Sequence, residues 1–92
     1  MASGSVEALG KESYYSIKSQ FPFTAPRSGF IEFHFNANDT SYCYCDIDQD
    51  RFIGVSKPSY AAGFTFFIGK GQTIRVIGGT LPSNVYFIPL YI

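Results

Sequence analysis

Ile68-Gly-Lys-Gly-Gln-Thr-Ile-Arg-Val-Ile-Gly-Gly-Thr80, followed shortly by Val85-Tyr-Phe-Ile-Pro-Leu-Tyr-Ile92, is the stretch that decides the fold of this chain. It reads as the end of one strand, a glycine turn, a second strand, a glycine loop and a last strand ending on bare hydrophobic residues. Side chains alternate along a strand with a period of two, so Tyr86, Ile88, Leu90 and Ile92 share one face and Val85, Phe87 and Tyr91 the other. A strand apolar on both faces is expected to be buried on both. One face then meets a second sheet, and the other needs a partner, most simply copies of the same chain about a threefold axis. Tyr86, Ile88, Leu90 and Ile92 are the expected oligomer interface. Each such side chain contributes about 1.5–3 kcal/mol when fully buried.

The totals agree with a small, well-supplied core. The chain has 92 residues, 46% of them apolar and 18% aromatic, which suits one folded domain and excludes disorder. Only 15% are charged, against about 25% in ordinary globular chains. That shortage suggests apolar surface shared between subunits. Seven basic and seven acidic residues give zero net charge without any basic run, so nucleic acid and anionic membranes lose their usual attraction. No apolar stretch approaches the ~20 residues of a membrane span, so no membrane insertion is expected. The N-terminus lacks the pattern of a signal peptide. Residues 1–12 read as a linker scar or the end of a stalk, and 13–92 as a single β-sandwich domain.

Working backwards from the closing strands, short alternating runs bounded by Gly, Pro, Asn and Ser recur along the chain. The spacing predicts seven strands: Ser13 to Gln20, Phe30 to Asn36, Ser41 to Asp48, Arg51 to Lys57, Phe64 to Ile68, Thr73 to Ile77, and the C-terminal run. In the first, Tyr15 and Ile17 share a face opposite Tyr14, Ser16 and Lys18. Ile31, Phe33 and Phe35 are expected inside, with Glu32 and His34 outside. Cys43, Cys45 and Ile47 are likewise expected inside, with Tyr42, Tyr44, Asp46 and Asp48 outside. Ile53 and Val55 oppose Phe52. Gln49-Asp50 reads as a hairpin tip, and Phe21 to Gly29, with two prolines, as a turn that cannot sit inside a sheet. The fold class is an all-β antiparallel sandwich or jelly roll of seven or eight strands.

Chemistry-bearing residues are few. Asp46-Ile-Asp-Gln-Asp50 opens like a calcium loop, but Arg51 and Lys57 stand where an EF-hand needs Gly and Glu. A solvated acidic face and a looser divalent-cation site are the two readings. His34 is the sole histidine, beside Glu32, and no Ser sits in a G-x-S-x-G elbow. A glycan hydrolase would need two carboxylates across a cleft, with Glu32, Asp46 and Asp48 the candidates. Cys43 and Cys45, one residue apart on a strand, read as buried thiols whose geometry disfavours a mutual disulfide. Gly69-Lys-Gly71 is too short for a phosphate loop and reads as turn chemistry. No catalytic residue, metal site or cofactor is expected. Asn38-Asp-Thr40 matches a glycosylation acceptor in a polar loop. Tyr42 and Tyr44 on one face, with Tyr60 in a loop, suit either stacking against sugar rings or packing against a neighbouring subunit.

Three stretches resemble a known group. Phe23-Thr-Ala-Pro-Arg-Ser-Gly-Phe-Ile-Glu-Phe33 is similar to the opening strand of small β-domains at the ends of bacteriophage tail fibres and related virion proteins. Gly69-Lys-Gly-Gln-Thr-Ile-Arg-Val76 resembles their "K-K-G-D-x-V-x-V" strand, with Gln72 where Asp is commoner, and Val85-Tyr-Phe-Ile-Pro-Leu90 their closing "F-x-P-L" strand. The order is also similar to the trimeric jelly-roll heads of complement-type and tumour-necrosis-factor-like proteins, which are longer. The resemblance spans residues 14 to 92, although Asn36 to Tyr60 match nothing in it. It implies a non-enzymatic homotrimer in a virion, made in the host cytoplasm, at the tip of a fibre or spike. Its partners would be its own copies, other virion proteins and a host-surface glycan or protein; the binding surface is expected in the unmatched middle, at Asn38, Asp39, Tyr42, Tyr44 and Tyr60. Capsid decoration or stalk capping without a receptor is the alternative.

Overall fold

The computed structural model describes residues 14–39, 42–56 and 60–90. Among them are eight strands and no helix: β1 (Tyr15–Ser16), β2 (Phe23–Thr24), β3 (Gly29–Phe35), β4 (Tyr42–Ile47), β5 (Arg51–Ser56), β6 (Ala62–Ile68), β7 (Thr73–Gly79) and β8 (Asn84–Pro89). They form two four-stranded sheets, ordered β1-β8-β3-β6 and β2-β7-β4-β5, with every pairing antiparallel. The pairs β1–β8, β2–β7, β3–β6 and β4–β5 are nested. The chain is thus one long antiparallel ribbon, closed on itself by the β3–β8 and β4–β7 pairings.

The inner faces follow the period-two alternation. Ile31, Phe33 and Phe35 of β3 and Val85 and Phe87 of β8 join one core cluster with Cys43, Cys45 and Ile47 of β4, Ile53 and Val55 of β5, and Ile74 of β7. The rings of Phe23 and Phe87, one from each sheet, tilt together at 5.2 Å. Phe66 and Phe64 of β6 meet Phe33 and Phe35 edge to face at 5.6 and 6.0 Å. Edge-to-face geometry suits the ring quadrupoles, so these contacts add to simple burial.

Four expectations need correction. The first strand is shorter than Ser13 to Gln20: among the described residues of that span only Tyr15 and Ser16 form strand, and a turn closed by Gln20 N–H on the Ile17 carbonyl (2.9 Å) follows. Ile17 is buried but Tyr15 is exposed, so the two do not share an environment. The segment between Phe21 and Gly29 does enter a sheet, because Phe23 and Thr24 pair with Ile74 and Thr73 at an outer edge. An edge strand needs donors on one side only, which leaves room for Pro22 and Pro26 on either flank. Asp46 is not solvated. It points outward from β4 yet is only 2% exposed, bound to Arg75 across the sheet. Residues 1–13, 40–41, 57–59 and 91–92, and with them the expectations at Ser13, Thr40, Ser41, Lys57, Tyr91 and Ile92, lie outside the described residues.

The turns behave as their composition demands. Asp48 and Gln49 both have positive φ, 57° and 59°, at the tip of the β4–β5 hairpin, as a turn matched to strand twist requires. Gly71 has φ +84° in the β6–β7 turn, where the Gln72 side-chain oxygen accepts from Gly69 N–H at 2.7 Å.

Candidate functional site

The outer face of the β2-β7-β4-β5 sheet carries the tyrosine pair. Tyr42 and Tyr44 project from β4 with ring centroids 5.6 Å apart and planes at 63°, and remain 47% and 54% exposed. Their setting is made by absences. A Cβ on Gly54 of β5 would lie 2.6 Å from Tyr44 Cε1, and one on Gly79 of β7 would lie 2.9 Å from Tyr42 Cδ2 and 2.4 Å from the Tyr42 carbonyl oxygen. Each ring therefore lies across a glycine of a neighbouring strand, with its other face open. Register explains the placement. Tyr44 stands opposite Gly54 on one side and Gly78 on the other. The second match depends on a bulge in β7: Cys45 pairs Val76 while Tyr44 pairs Gly78, so Ile77 is the extra residue.

Beside the tyrosines runs a charged row. Arg75 Nε donates to Asp46 Oδ1 at 3.0 Å and Nη2 to Oδ2 at 2.6 Å, a two-point grip that fits the planar groups to each other. The Arg75 guanidinium holds the Asp46 carboxyl below the usual aspartate range. Phe52 pairs with Asp46 from β5 and is 68% exposed. The surface thus offers three open aromatic rings beside a neutralised ion pair. Its chemistry is stacking and apolar contact, with the guanidinium as the polar rim.

Not every expected residue belongs to it. Tyr60 is exposed in the loop before β6, and Asn38 is exposed in the turn after β3. Asp39 is spent on the fold: one carboxylate oxygen accepts from Asn36 N–H at 2.5 Å and Ser83 N–H at 3.1 Å, and the other bonds the Ser83 hydroxyl. That hydroxyl, foremost, draws the Asp39 carboxyl below its ordinary range. Asp48 accepts from Thr73 N–H at 2.9 Å, so two of the three acidic hairpin residues hold the strands together. Among the described residues no group of three or more His, Cys, Asp or Glu is placed to hold a metal ion. Glu32 and Asp46 project from different sheets and do not flank one cleft.

The other outer face, on β1-β8-β3-β6, holds the expected subunit contacts. Tyr86, Ile88 and Leu90 are half-buried. Ile88 pairs with Phe30, and Phe30 with Phe67, so an apolar row crosses three strands. Phe30 and Phe67 meet at 5.9 Å and Tyr14 and Tyr86 at 5.3 Å, both edge to face. Glu32 and His34 interrupt the face on the central strand. Phe52 is the member that reading the sequence missed. Its alternation set it on the face opposite Ile53 and Val55, but only the register shows that this is the outer face it shares with Tyr44.

No family model, no curated protein and no solved structure matches this chain.

Proposed function

We propose that this chain is a non-enzymatic adhesion module, the tip of a bacteriophage tail fibre or spike, which meets a host-surface receptor through Tyr42, Tyr44 and Phe52. The observation that carries the reading is the pair of half-exposed tyrosines laid over Gly79 and Gly54. A ring fixed against a bare backbone loses little freedom when a sugar ring or an apolar side chain stacks on its open face. The nested strand order supports a jelly roll, the architecture that the resemblance to virion tip domains implies. The opposite face, with Ile88, Phe30 and Phe67 in a row, supports self-association, and a threefold arrangement is the one that resemblance implies.

Binding of the purified chain to a glycan array and to whole bacterial cells tests the reading, with Tyr44→Ala and Tyr42→Ala alongside. The expected result is binding that falls at least about tenfold in either variant while the fold is kept, the loss of about 1.4 kcal/mol or more that a stacked ring supplies. Binding unchanged in both variants would remove the tyrosine face from the receptor role. No binding to any cell or glycan favours a capping or decorating role.

A further inference from the structure

The two sides of the sandwich end differently. On one side the outermost strands, β1 and β2, have two residues each. On the other they are β5 and β6, with six and seven, separated by an open cleft of about 420 Å³ lined by Arg51, Phe52, Ile53, Gly54, Phe66 and Phe67. The β6 edge, Ala62-Gly-Phe-Thr-Phe-Phe-Ile68, has no charge, no proline and an unbroken register with β3. A long, uncharged, regular edge is what proteins ordinarily guard against, because its unpaired backbone groups template another strand.

Which backbone groups face outward follows from one hydrogen bond. Leu90 N–H donates to the Ser28 carbonyl at 2.9 Å. In an antiparallel ladder, bonded positions alternate between the two neighbours. Even-numbered residues of β3 therefore bond β8, and odd-numbered ones bond β6. Through the pairs Ile31↔Phe66 and Phe33↔Phe64, even residues of β6 face β3. Gly63, Thr65 and Phe67 then point their N–H and C=O groups off the edge. The Phe67 carbonyl accordingly accepts from the Arg51 guanidinium, which reaches it across the cleft.

We propose that this edge is a pairing site for β6 of a second copy, antiparallel about a twofold axis at Thr65, merging two four-stranded sheets into one of eight. Three of the cross-pairs in that register resemble pairs already built into the molecule. Phe67 falls opposite Gly63 of the partner copy, an aromatic ring over a glycine as Tyr44 lies over Gly54. Thr65 meets its own symmetry mate, as Thr24 and Thr73 meet with their hydroxyls 2.7 Å apart. Phe64 and Phe66, only partly covered at present, meet each other on the inner side. The parity is also right, since inward residues face inward residues throughout. A carbonyl oxygen has two lone pairs, so Phe67 can accept from the partner copy's Gly63 N–H and keep Arg51. This contact uses the backbone edge of β6 and the threefold contact the outer face of the sheet, with Phe67 common to both.

Native mass spectrometry and sedimentation velocity of the full chain across a micromolar concentration series test this. The expected species is two chains, or six where the threefold contact also forms. Thr65→Lys sets two ammonium groups face to face and is expected to halve that mass. Gly63→Val is expected to do the same by filling the seat of Phe67, although a Cβ there lies 3.6 Å from its nearest atom in its own chain. Circular dichroism should show both variants folded. Amide exchange at Gly63, Thr65 and Phe67 should be slow in the associated protein and fast on dilution. A wild-type monomer, trimer or open-ended polymer would overturn the proposal, as would an associated species whose mass Thr65→Lys leaves unchanged. Failure of the threefold contact alone would show as dimers without hexamers.

Discussion

The two outer faces of the sandwich use aromatic residues in opposite ways. On the β1-β8-β3-β6 face the rings touch one another across strands: Tyr14 meets Tyr86, and Phe30 meets Phe67. On the β2-β7-β4-β5 face Tyr42 and Tyr44 lie across glycines. Ring against ring makes a corrugated apolar surface, which gains by being covered. Ring against bare backbone fixes a flat group in place and leaves its face exposed. Exposure is similar on the two faces, with Tyr14 and Phe67 at 44% and 45% and Tyr42 and Tyr44 at 47% and 54%, so the difference teaches that the cross-strand neighbour decides what an aromatic ring rests on.

Glycine substitutions are the strongest way to break this contrast. Gly79 has φ +74°, and its Cβ would sit 2.4 Å from the Tyr42 carbonyl oxygen. Gly79→Val combines a disfavoured backbone region with a clash that only main-chain movement relieves, and should cost about 3 kcal/mol or more in urea unfolding. Gly54→Val meets the end of a side chain instead of backbone. Tyr44 can swing away, so a smaller loss of about 1 kcal/mol is expected. Receptor binding should nevertheless fall as far as in Tyr44→Ala, because the ring has lost its seat. Equal stability losses for the two glycines would erase the distinction between backbone and side-chain contact.

The β1-β8-β3-β6 face responds differently. Phe30→Ala removes a half-buried ring at the centre of the apolar row. It should lower monomer stability by about 1 kcal/mol and weaken self-association in sedimentation without altering receptor binding. The reverse outcome, unchanged association with lost binding, would exchange the roles of the two faces.

Acid gives the gentlest perturbation. Asp46 and Asp39 both titrate below the ordinary aspartate value when folded, the first through Arg75 and the second through Ser83. A depressed carboxylate contributes stability that is complete above its unfolded pKa, about 3.9, and is lost as pH falls through the folded value. The melting temperature should therefore hold from neutrality to about pH 4 and decline below it. Asp46→Asn should start lower at neutral pH and decline less steeply. A melting temperature that drops between pH 7 and 5 would point to other groups.

Much of this was legible in the sequence, for a physical reason. Period-two alternation is a local signal, and it placed Phe33 and Cys45 inside and Tyr42 and Tyr44 outside, and set Phe52 on the face opposite Ile53 and Val55. What escaped depends on partners distant in sequence. Asp46 reads as solvated until Arg75, 29 positions away, is set beside it by the β4–β7 register. Phe23 and Thr24 read as a turn because flanking prolines suppress the strand signal, yet an outer edge tolerates them. Asp39 reads as an exposed loop acid until Ser83 arrives from the loop leading into the neighbouring strand β8. The tyrosine surface was half visible, since two of its rings were identified and the glycines beneath them, which depend on the β4–β5 register and on the β7 bulge, were not.

Cys43 and Cys45 are fully buried, unoxidised, and 3.7 Å apart at sulfur. Cys43 beside it, together with burial, pushes the Cys45 thiol well above its ordinary range. A thiol reagent in water can reach neither sulfur until the two sheets part. The chain consequently carries its own stopwatch: the rate at which such a reagent consumes these thiols counts openings of the whole sandwich, with no label added.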